Sequence, residues 1–333
     1  MTTLLQDVEE RLFSGGSIDR DAALALTEWP DKPSLYRLAD KIRRHFMGDR
    51  FDACAIINAK SGNCMEDCRF CAQSARHRTE APHYAFIDKE EALRLARDCD
   101  AHGVERIGLV TSGRKLNERT LADMERLFAE MARSTGLYLC SSAGLLDEAT
   151  VSRLAAAGLK RYHCNLEACK NYFPQVCTTH TWEEKAATLR LARAHGLALC
   201  SGGIIGMGES IADRVDLALE LRDLGVMSIA FNVLTPIPGT PLAHLEPLAL
   251  DEVLTAIAVF RLINPKAVLR MCGGRQQLGK DQYRCFTSGA NGAIVGNYLT
   301  TNGNELADDL ARIKALGFTL PRETAGTDLR RTS

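Results

Sequence analysis

Two hydrophobic patterns alternate along most of the chain. Short apolar runs, typical of strands buried in a parallel sheet, are separated by longer segments in which apolar residues recur at helical spacing. Helical segments such as RTLADMERLFAEMARSTG end at or near a glycine, as helix C-termini often do. The predicted strands occupy residues 54–60, 106–112, 137–143, 161–167, 198–206, 228–234, 267–273 and 292–298. Eight such units predict an α/β fold, a (β/α)8 barrel of the TIM type.

The two ends of the chain differ from this central pattern. Residues 1–50 contain amphipathic helical stretches alone, so we expect a helical lead-in before a barrel that spans residues 51–320. Residues 321–333 are polar and predict a mobile tail. A chain of 333 residues is compatible with one barrel domain.

The charges of the chain nearly cancel, with 41 basic and 42 acidic residues. No net field therefore attracts nucleic acid or an acidic membrane surface, and we expect neither as a partner. The N-terminus is acidic where a signal peptide would be basic, and no apolar run reaches membrane-spanning length. These features predict a cytoplasmic protein.

Twelve cysteines are many for a chain expected in a reducing compartment. Structural disulfides are rare there, so metal binding becomes the leading explanation. The alternative is that most of them are small buried residues, and we expect this for Cys99 and Cys285.

Three cysteines, Cys64, Cys68 and Cys71, stand close together in SGNCMEDCRFCAQS after the first predicted strand. Three thiolates in one loop can hold three irons of a [4Fe–4S] cluster and leave the fourth iron free to take a substrate. A zinc site with His77 as fourth ligand is the alternative. The aromatic Phe70 and the barrel context favour the cluster.

The segment CMEDCRFCAQSARH resembles the signature of the biotin synthase family, in the radical S-adenosylmethionine superfamily. The resemblance continues in HCNLEA, CTTHTWEEK, CSGGIIGMGES, FNVLTPIPGTPL, RMCGGRQQL and GANGAIVGNYLTT. It implies that the open iron chelates S-adenosylmethionine, whose cleavage releases a 5′-deoxyadenosyl radical. The implied reaction inserts sulfur between C6 and C9 of dethiobiotin, with a flavodoxin or ferredoxin as electron donor. A homodimer is also implied.

The same resemblance implies roles for individual residues. Asn165 and Glu167 match positions that contact the ribose of S-adenosylmethionine, and Asn232 matches an asparagine that binds the cyclic urea of dethiobiotin. His180 stands where the family has an arginine, which would be the stronger partner of the cofactor's carboxylate. Further cofactor contacts are expected at Phe70, Ser112 and Gly206.

A second cluster is expected, but with altered ligands. Known biotin synthases hold a [2Fe–2S] cluster with cysteines on strands two, three and five and an arginine on strand seven. Here Cys140, Cys200 and Arg270 remain, the strand-two cysteine is missing, and Cys54 and Cys272 are new. Inward side chains of alternate barrel strands meet in one layer. We therefore expect a variant group whose auxiliary cluster is of a four-cysteine, four-iron type, with Cys54, Cys140, Cys200 and Cys272 as its ligands.

Several alternatives stay open. Cys54 and Cys272 can be small buried residues, and Cys164, Cys169 and Cys177 are rival ligands, the last two only if their loop folds back. The function can be that of a radical enzyme of hydrogenase or cofactor maturation. A protein of another class, a non-catalytic iron–sulfur or zinc protein, is the third reading.

Overall fold

A closed barrel of eight parallel strands, arranged in chain order, forms the centre of the computed structural model, which describes residues 3–296, 299 and 304–321. Strand β1 pairs with both β2 and β8, so the sheet has no free edge. The predicted barrel is confirmed. The strands are β1 Asp52–Lys60, β2 Arg106–Thr111, β3 Tyr138–Ser142, β4 Arg161–His163, β5 Ala198–Ile205, β6 Ser228–Val233, β7 Val268–Met271 and β8 Gly292–Ile294.

Two strands, β4 and β8, end four residues earlier than the sequence predicted. Strand β4 ends at His163 instead of residue 167, because Glu167 takes a positive φ of 68°, which no strand residue adopts. Its amide donates to the carbonyl of Gly202 at 3.1 Å, and its carbonyl accepts from Ile204 at 2.8 Å. The chain after β4 is therefore hydrogen-bonded to β5. Strand β8 ends at Ile294, and residues 297–298 of the predicted strand lie outside the described residues.

The helices cover the barrel, and most begin at a side-chain cap. Thr181 and Ser210 form capping boxes with Glu184 and Asp213, which satisfies the first amides of two helices. The helices are α1 Thr3–Phe13, α2 Arg20–Thr27, α3 Lys32–Met47, α4 Lys89–Ala101, α5 Glu118–Ser134, α6 Glu148–Ala156, α7 Trp182–Ala194, α8 Ile211–Asp223, α9 Leu250–Ile263 and α10 Leu306–Ala315. Within the described part of the chain, no helix combines the length and apolarity that a membrane span requires.

The predicted helical extension is confirmed as α1 to α3. Leu12, Leu26, Leu35 and Ile42 are fully buried and join the same hydrophobic core as the barrel helices. Burial of these side chains fixes the extension against the barrel wall. The polar tail predicted at 321–333 lies outside the described residues, apart from its first residue.

A buried ion pair anchors α10 to the barrel. Asp309, on α10, receives hydrogen bonds from both terminal nitrogens of Arg275 and from the hydroxyl of Tyr283, the latter at 2.9 Å. Arg275 and Tyr283 belong to the 3-10 segment Arg275–Thr287 that follows β7. Since both charges of the pair are fully buried, each depends on the other for its solvation.

Replacing Asp309 by alanine should therefore lower the free energy of unfolding by about 3 to 5 kcal/mol, because a buried guanidinium loses its counter-charge. Asp308→Ala is the matched control, since Asp308 is exposed on the same helix turn and its loss should cost less than about 1 kcal/mol. Urea unfolding of the two variants measures both values. Equal stability of the two would contradict the anchoring role of the pair.

Candidate active site

The C-terminal ends of the strands surround one large cavity of about 450 Å³ inside the barrel. This is the end at which barrel enzymes carry their chemistry. The cavity wall includes all the predicted site residues except Gly206: Cys54, Cys64, Cys68, Phe70, Cys71, Ser112, Cys140, Asn165, Glu167, His180, Cys200, Asn232, Arg270 and Cys272. The fold thus brings residues from seven strands or strand ends, and from the loops after β1 and β4, to one place.

The loop after β1 presents Cys64, Cys68 and Cys71 at the mouth of the cavity. Backbone hydrogen bonds hold it, from Cys71 to the carbonyl of Cys68 at 2.9 Å and from Cys64 to that of Gln73 at 3.1 Å. All three thiols are partly exposed toward the opening. A donor set of three thiols in one ordered loop fits three corners of a [4Fe–4S] cluster. His77, the expected fourth ligand of the zinc alternative, instead places Nδ1 2.8 Å from the carbonyl oxygen of Cys71.

A polar group of three side chains lies in the same cavity wall, after β4 and on α7. Asn165 donates through Nδ2 to Glu167 at 2.8 Å, and Nζ of Lys185 lies 3.4 Å from the other oxygen of that carboxylate. Although burial lowers the pKa of Lys185, the charge of Glu167 raises it above its ordinary value. Oδ1 of Asn165 is buried and has no partner among the described residues. This acceptor suits a ligand hydroxyl, such as that of a ribose. Sequence reasoning missed Lys185, which is on helix α7.

Two other predicted contact residues are used to fasten the cavity wall. Ser112 donates to the carbonyl of Gly62 at 2.6 Å, which ties the end of β2 to the cysteine loop. Asn232 donates to the carbonyl of Gly203 at 3.0 Å and accepts from the amide of Gly273 at 2.9 Å. Asn232 therefore links β5, β6 and the end of β7 while it faces the cavity.

Phe70 and Gly206 frame the rim of the cavity. Phe70 packs against a small hydrophobic cluster that includes Ile204 and Met207. Gly206, outside the cavity lining, has a φ of +95° and donates its amide to Glu209 at 2.7 Å. A side chain there would meet Leu248 at 3.1 Å, so glycine keeps this turn open.

Four buried thiols lie deeper in the same cavity, one from each odd-numbered strand or strand end: Cys54, Cys140, Cys200 and Cys272. Of the rival ligands, Cys169 faces Asp213 at 3.4 Å, outside this layer. Cys164 packs in the main hydrophobic core at the edge of the cavity. The four thiols of the predicted layer share the cavity wall with Arg161 and Arg270, and whether they bind one cluster stays a prediction.

Three arginines, Arg106, Arg161 and Arg270, form the floor of the barrel interior beneath the thiols. Asp52 receives a hydrogen bond from Nε of Arg106 at 2.8 Å and another from Arg270, which holds the pKa of the Asp52 carboxyl far below its usual range despite the opposing effect of burial. Arg270 and Arg161 both donate to the hydroxyl of Ser228, at 3.0 and 3.3 Å. The three guanidiniums outnumber the two carboxylates that pair with them, so the floor is positively charged. Sequence reasoning named Arg270 and missed the other members.

The positive floor acts on Cys200 in particular. Nδ1 of His163 lies 3.2 Å from its sulfur, and Nη1 of Arg270 lies 3.5 Å from it. Burial alone would raise the pKa of the Cys200 thiol, yet the charges of His163 and Arg270 lower it to about 5. Burial raises the pKa of Cys54, Cys140 and Cys272. The lowered pKa favours the thiolate form of Cys200, which is the form that binds metal.

The loop after β4 folds back onto the first cysteine motif. Sγ of Cys177 lies 3.7 Å from Sγ of Cys68 and 3.3 Å from Nδ1 of His180, and His180 also contacts the carboxylate of Glu66. Cys177 could be a rival ligand only if its loop folded back. The loop does fold back, but it places Cys177 at the mouth of the cavity and not in the deeper layer of thiols. Among the described residues, Cys68, Cys177 and His180 are the one group whose three donor atoms lie within 4.8 Å of one another.

Comparison with known families matches both halves of the chain. The Radical SAM superfamily model matches residues 59–221, and the model of the Biotin and Thiamin Synthesis associated domain matches residues 230–319. Biotin synthase of Heliobacterium modesticaldum is 45% identical over 321 residues, which is 96% of this chain and 98% of that one. Biotin synthase 2 of Corynebacterium diphtheriae is 47% identical over 317 residues, with 95% and 96% covered.

Solved structures share the fold at low identity. Methylornithine synthase superimposes with a TM-score of 0.81 at 19% identity and covers 97% of this chain and 99% of its own. The hydrogenase maturase HydG of Carboxydothermus hydrogenoformans gives 0.78 at 15% identity, with 94% and 78% covered. These likenesses concern the barrel alone.

The contact between Glu167 and β5 leaves no room for a side chain at Gly203. A Cβ at this position would lie 2.6 Å from the carbonyl oxygen of Glu167 and 2.5 Å from Cδ2 of Leu217. Gly203→Ala should therefore displace Glu167 and lower the free energy of unfolding by about 2 kcal/mol.

Gly108→Ala is the control for this substitution. Gly108 also lines the cavity, but a Cβ there meets nothing nearer than Cγ2 of Ile56 at 3.5 Å. The free energy of unfolding of Gly108→Ala, measured by urea unfolding, should differ from that of the parent by less than about 1 kcal/mol. If Gly203→Ala proved as stable as Gly108→Ala, the tight packing of Glu167 on β5 would be refuted.

Proposed function

Because the chain belongs to the biotin synthase family of radical S-adenosylmethionine enzymes, we propose that it performs the family's sulfur insertion with an auxiliary cluster held by four cysteines. The chain is an enzyme that converts dethiobiotin to biotin by radical chemistry. The observation that carries the proposal is the position of Cys54, Cys140, Cys200 and Cys272 in the wall of the same cavity that holds the three-cysteine motif.

Cys64, Cys68 and Cys71 hold the radical-generating cluster in this proposal. When bound, that [4Fe–4S] cluster supplies the electron that cleaves S-adenosylmethionine, and the auxiliary cluster supplies sulfur. The cavity walls of this chain bring both reactants into one volume inside the barrel, which limits the access of water and other hydrogen donors to the radical step. The catalytic residues are thus the three cysteines, Asn232 and Arg270.

The deep layer suits an anionic cluster for electrostatic reasons. Nε of Arg161 and Nε of Arg270 are buried and have no partner within the described part of the chain. Such donors can bind the sulfide atoms of a cluster that thiolates already make negative. Four thiols stand above them, whereas β2 offers Thr111 where a three-cysteine set would need a thiol. A four-iron cluster uses all four thiols, and a [2Fe–2S] cluster with an arginine ligand would not.

S-adenosylmethionine lies, we propose, between the cysteine loop and the start of the loop after β4. The free acceptor of Asn165 and the carboxylate of Glu167 take the ribose hydroxyls, and Phe70 and Ser112 border the rest of the cofactor, while Gly206 would approach it only from the turn behind the cavity lining. His180 offers an imidazole near the cofactor's carboxylate. Asn232 lies across the cavity, where its remaining lone pair can accept from the urea of dethiobiotin.

In the cell, the enzyme needs an electron donor and a reducing compartment. Reduction of the radical-generating cluster needs a low-potential protein donor, a flavodoxin or ferredoxin. We place the protein in the cytoplasm, where seven cluster-binding thiols stay reduced before assembly. A homodimer, as the resemblance implies, is the proposed assembly.

Iron and sulfide analysis of anaerobically reconstituted protein tests the auxiliary cluster. Cys54→Ala, Cys140→Ala, Cys200→Ala and Cys272→Ala should each lose the iron of one cluster and keep that of the other, because each variant removes one of four ligands. Cys285→Ala is the control, since Cys285 is fully buried outside the cavity. Full iron in all four variants would refute the four-cysteine layer.

The radical reaction depends on the first cysteine motif, Cys64, Cys68 and Cys71. Parent protein with S-adenosylmethionine, dethiobiotin and strong reductant should form 5′-deoxyadenosine and biotin, and its gene should rescue a biotin auxotroph. Cys68→Ala should form neither product, because the radical-generating cluster loses a ligand. Formation of 5′-deoxyadenosine without biotin would instead indicate another substrate, as in a maturation enzyme.

A further inference from the structure

We propose that the cluster-free chain binds one thiophilic divalent cation, zinc in the first place, through Cys68, Cys177 and His180. The site overlaps the radical-generating motif at Cys68 alone, so the cation and the cluster exclude each other. The proposal goes beyond the sulfur-insertion reaction, which uses neither Cys177 nor zinc.

The distances between the donor atoms match a tetrahedral zinc site. Zinc–sulfur bonds of about 2.3 Å and zinc–nitrogen bonds of about 2.0 Å place tetrahedral ligands about 3.8 Å apart for two sulfurs and about 3.5 Å apart for sulfur and nitrogen. The observed separations are 3.7 Å between Cys68 and Cys177 and 3.3 Å between Cys177 and Nδ1 of His180. All three donors lie within 4.8 Å of one another.

Glu66 lies next to the three donors but, among the described residues, is not one of the group within 4.8 Å, so a water or an exogenous ligand would fill the fourth position. The Glu66 carboxylate contacts Nδ1 of His180, and the same carboxylate oxygen accepts from the hydroxyl of Thr179 at 2.9 Å. Glu66 and His180 are both buried, at 9% and 8% exposure. Two thiols and an imidazole are ligands that zinc takes in proteins, and the neighbouring carboxylate can orient the imidazole.

Contacts outside the donor set hold the two segments together. The carboxylate of Asp67 accepts from the amides of Thr178 and Thr179, at 2.9 and 3.2 Å. The amide of Arg69 donates to the carbonyl of Val176 at 3.0 Å. These bonds place Cys177 against Cys68 without help from the thiols, so little reorganisation is needed to bind a metal.

The site has a consequence for cluster assembly. A cation held by Cys68 occupies one of the three thiolates that the cluster requires, and it keeps that thiolate from oxidation until iron is delivered. Zinc at this site should therefore block loading of the first motif, and its removal should permit it.

Anaerobic titration of the reduced, cluster-free chain with Co²⁺ tests the site, because thiolate-bound Co²⁺ absorbs in the visible range and zinc then displaces it. The parent chain should show a tetrahedral Co²⁺ spectrum whose affinity falls by roughly a hundredfold or more in Cys177→Ser. Cys169→Ser is the matched control, because Cys169 is a buried cysteine of the same loop outside the donor set, and it should bind like the parent. Cys64→Ser should also keep the site.

A second measurement separates this site from simple binding to the cluster motif. Iron uptake by zinc-loaded parent protein should fall by one four-iron cluster, whereas zinc-treated Cys177→Ser should take up the parent's full iron, which also shows that the variant folds. Co²⁺ binding that survives Cys177→Ser but is lost in Cys64→Ser would overturn the proposal. Failure of sulfur insertion would appear only with the loaded enzyme and substrate, so the two outcomes are distinguishable.

Discussion

Closure of the sheet is the constraint on which both cysteine groups depend. Once β1 pairs with β8, the inward side chains of β1, β3, β5 and β7 converge on one volume, although Cys54 and Cys272 are more than two hundred positions apart in the chain. An open sheet would leave Cys54 and Cys200 on distant strands. The barrel therefore does more than support the site, since its geometry creates the site.

Electrostatics determines which chemistry the closed volume favours. The floor contains Arg106, Arg161 and Arg270 against the carboxylates of Asp52 and Glu105. Buried guanidiniums without enough counter-charge are costly unless an anion joins them. A cluster bound by thiolates is such an anion. The lowered pKa of Cys200 and the raised pKa of the other three thiols show the same balance, between the floor's charge and the cost of burial.

At the mouth of the cavity, hydrogen bonds between loops determine the arrangement, and not the charge of the floor. There the chain uses loops fixed by backbone and carboxylate hydrogen bonds, as between Asp67 and the segment after Cys177. Strand β4 ends before Asn165, and Glu167 then forms hydrogen bonds with β5. The positive φ of Glu167 is the local strain that this contact requires. The deep layer is thus defined by strands, and the mouth by loops that the strands bring together.

The sequence by itself determined the parts that depend on local pattern. Strand and helix periodicity predicted the barrel and its helical extension, and the spacing of Cys64, Cys68 and Cys71 predicted one cluster loop. The position of Cys54 and Cys272 on odd strands predicted a layer because barrel closure follows a general rule. Only the tertiary structure decided contacts between segments with no pattern of their own: the arginine floor around Asp52, Lys185 behind Glu167, and Cys177 against Cys68. Such pairs depend on loop paths and side-chain distances, which periodicity does not encode.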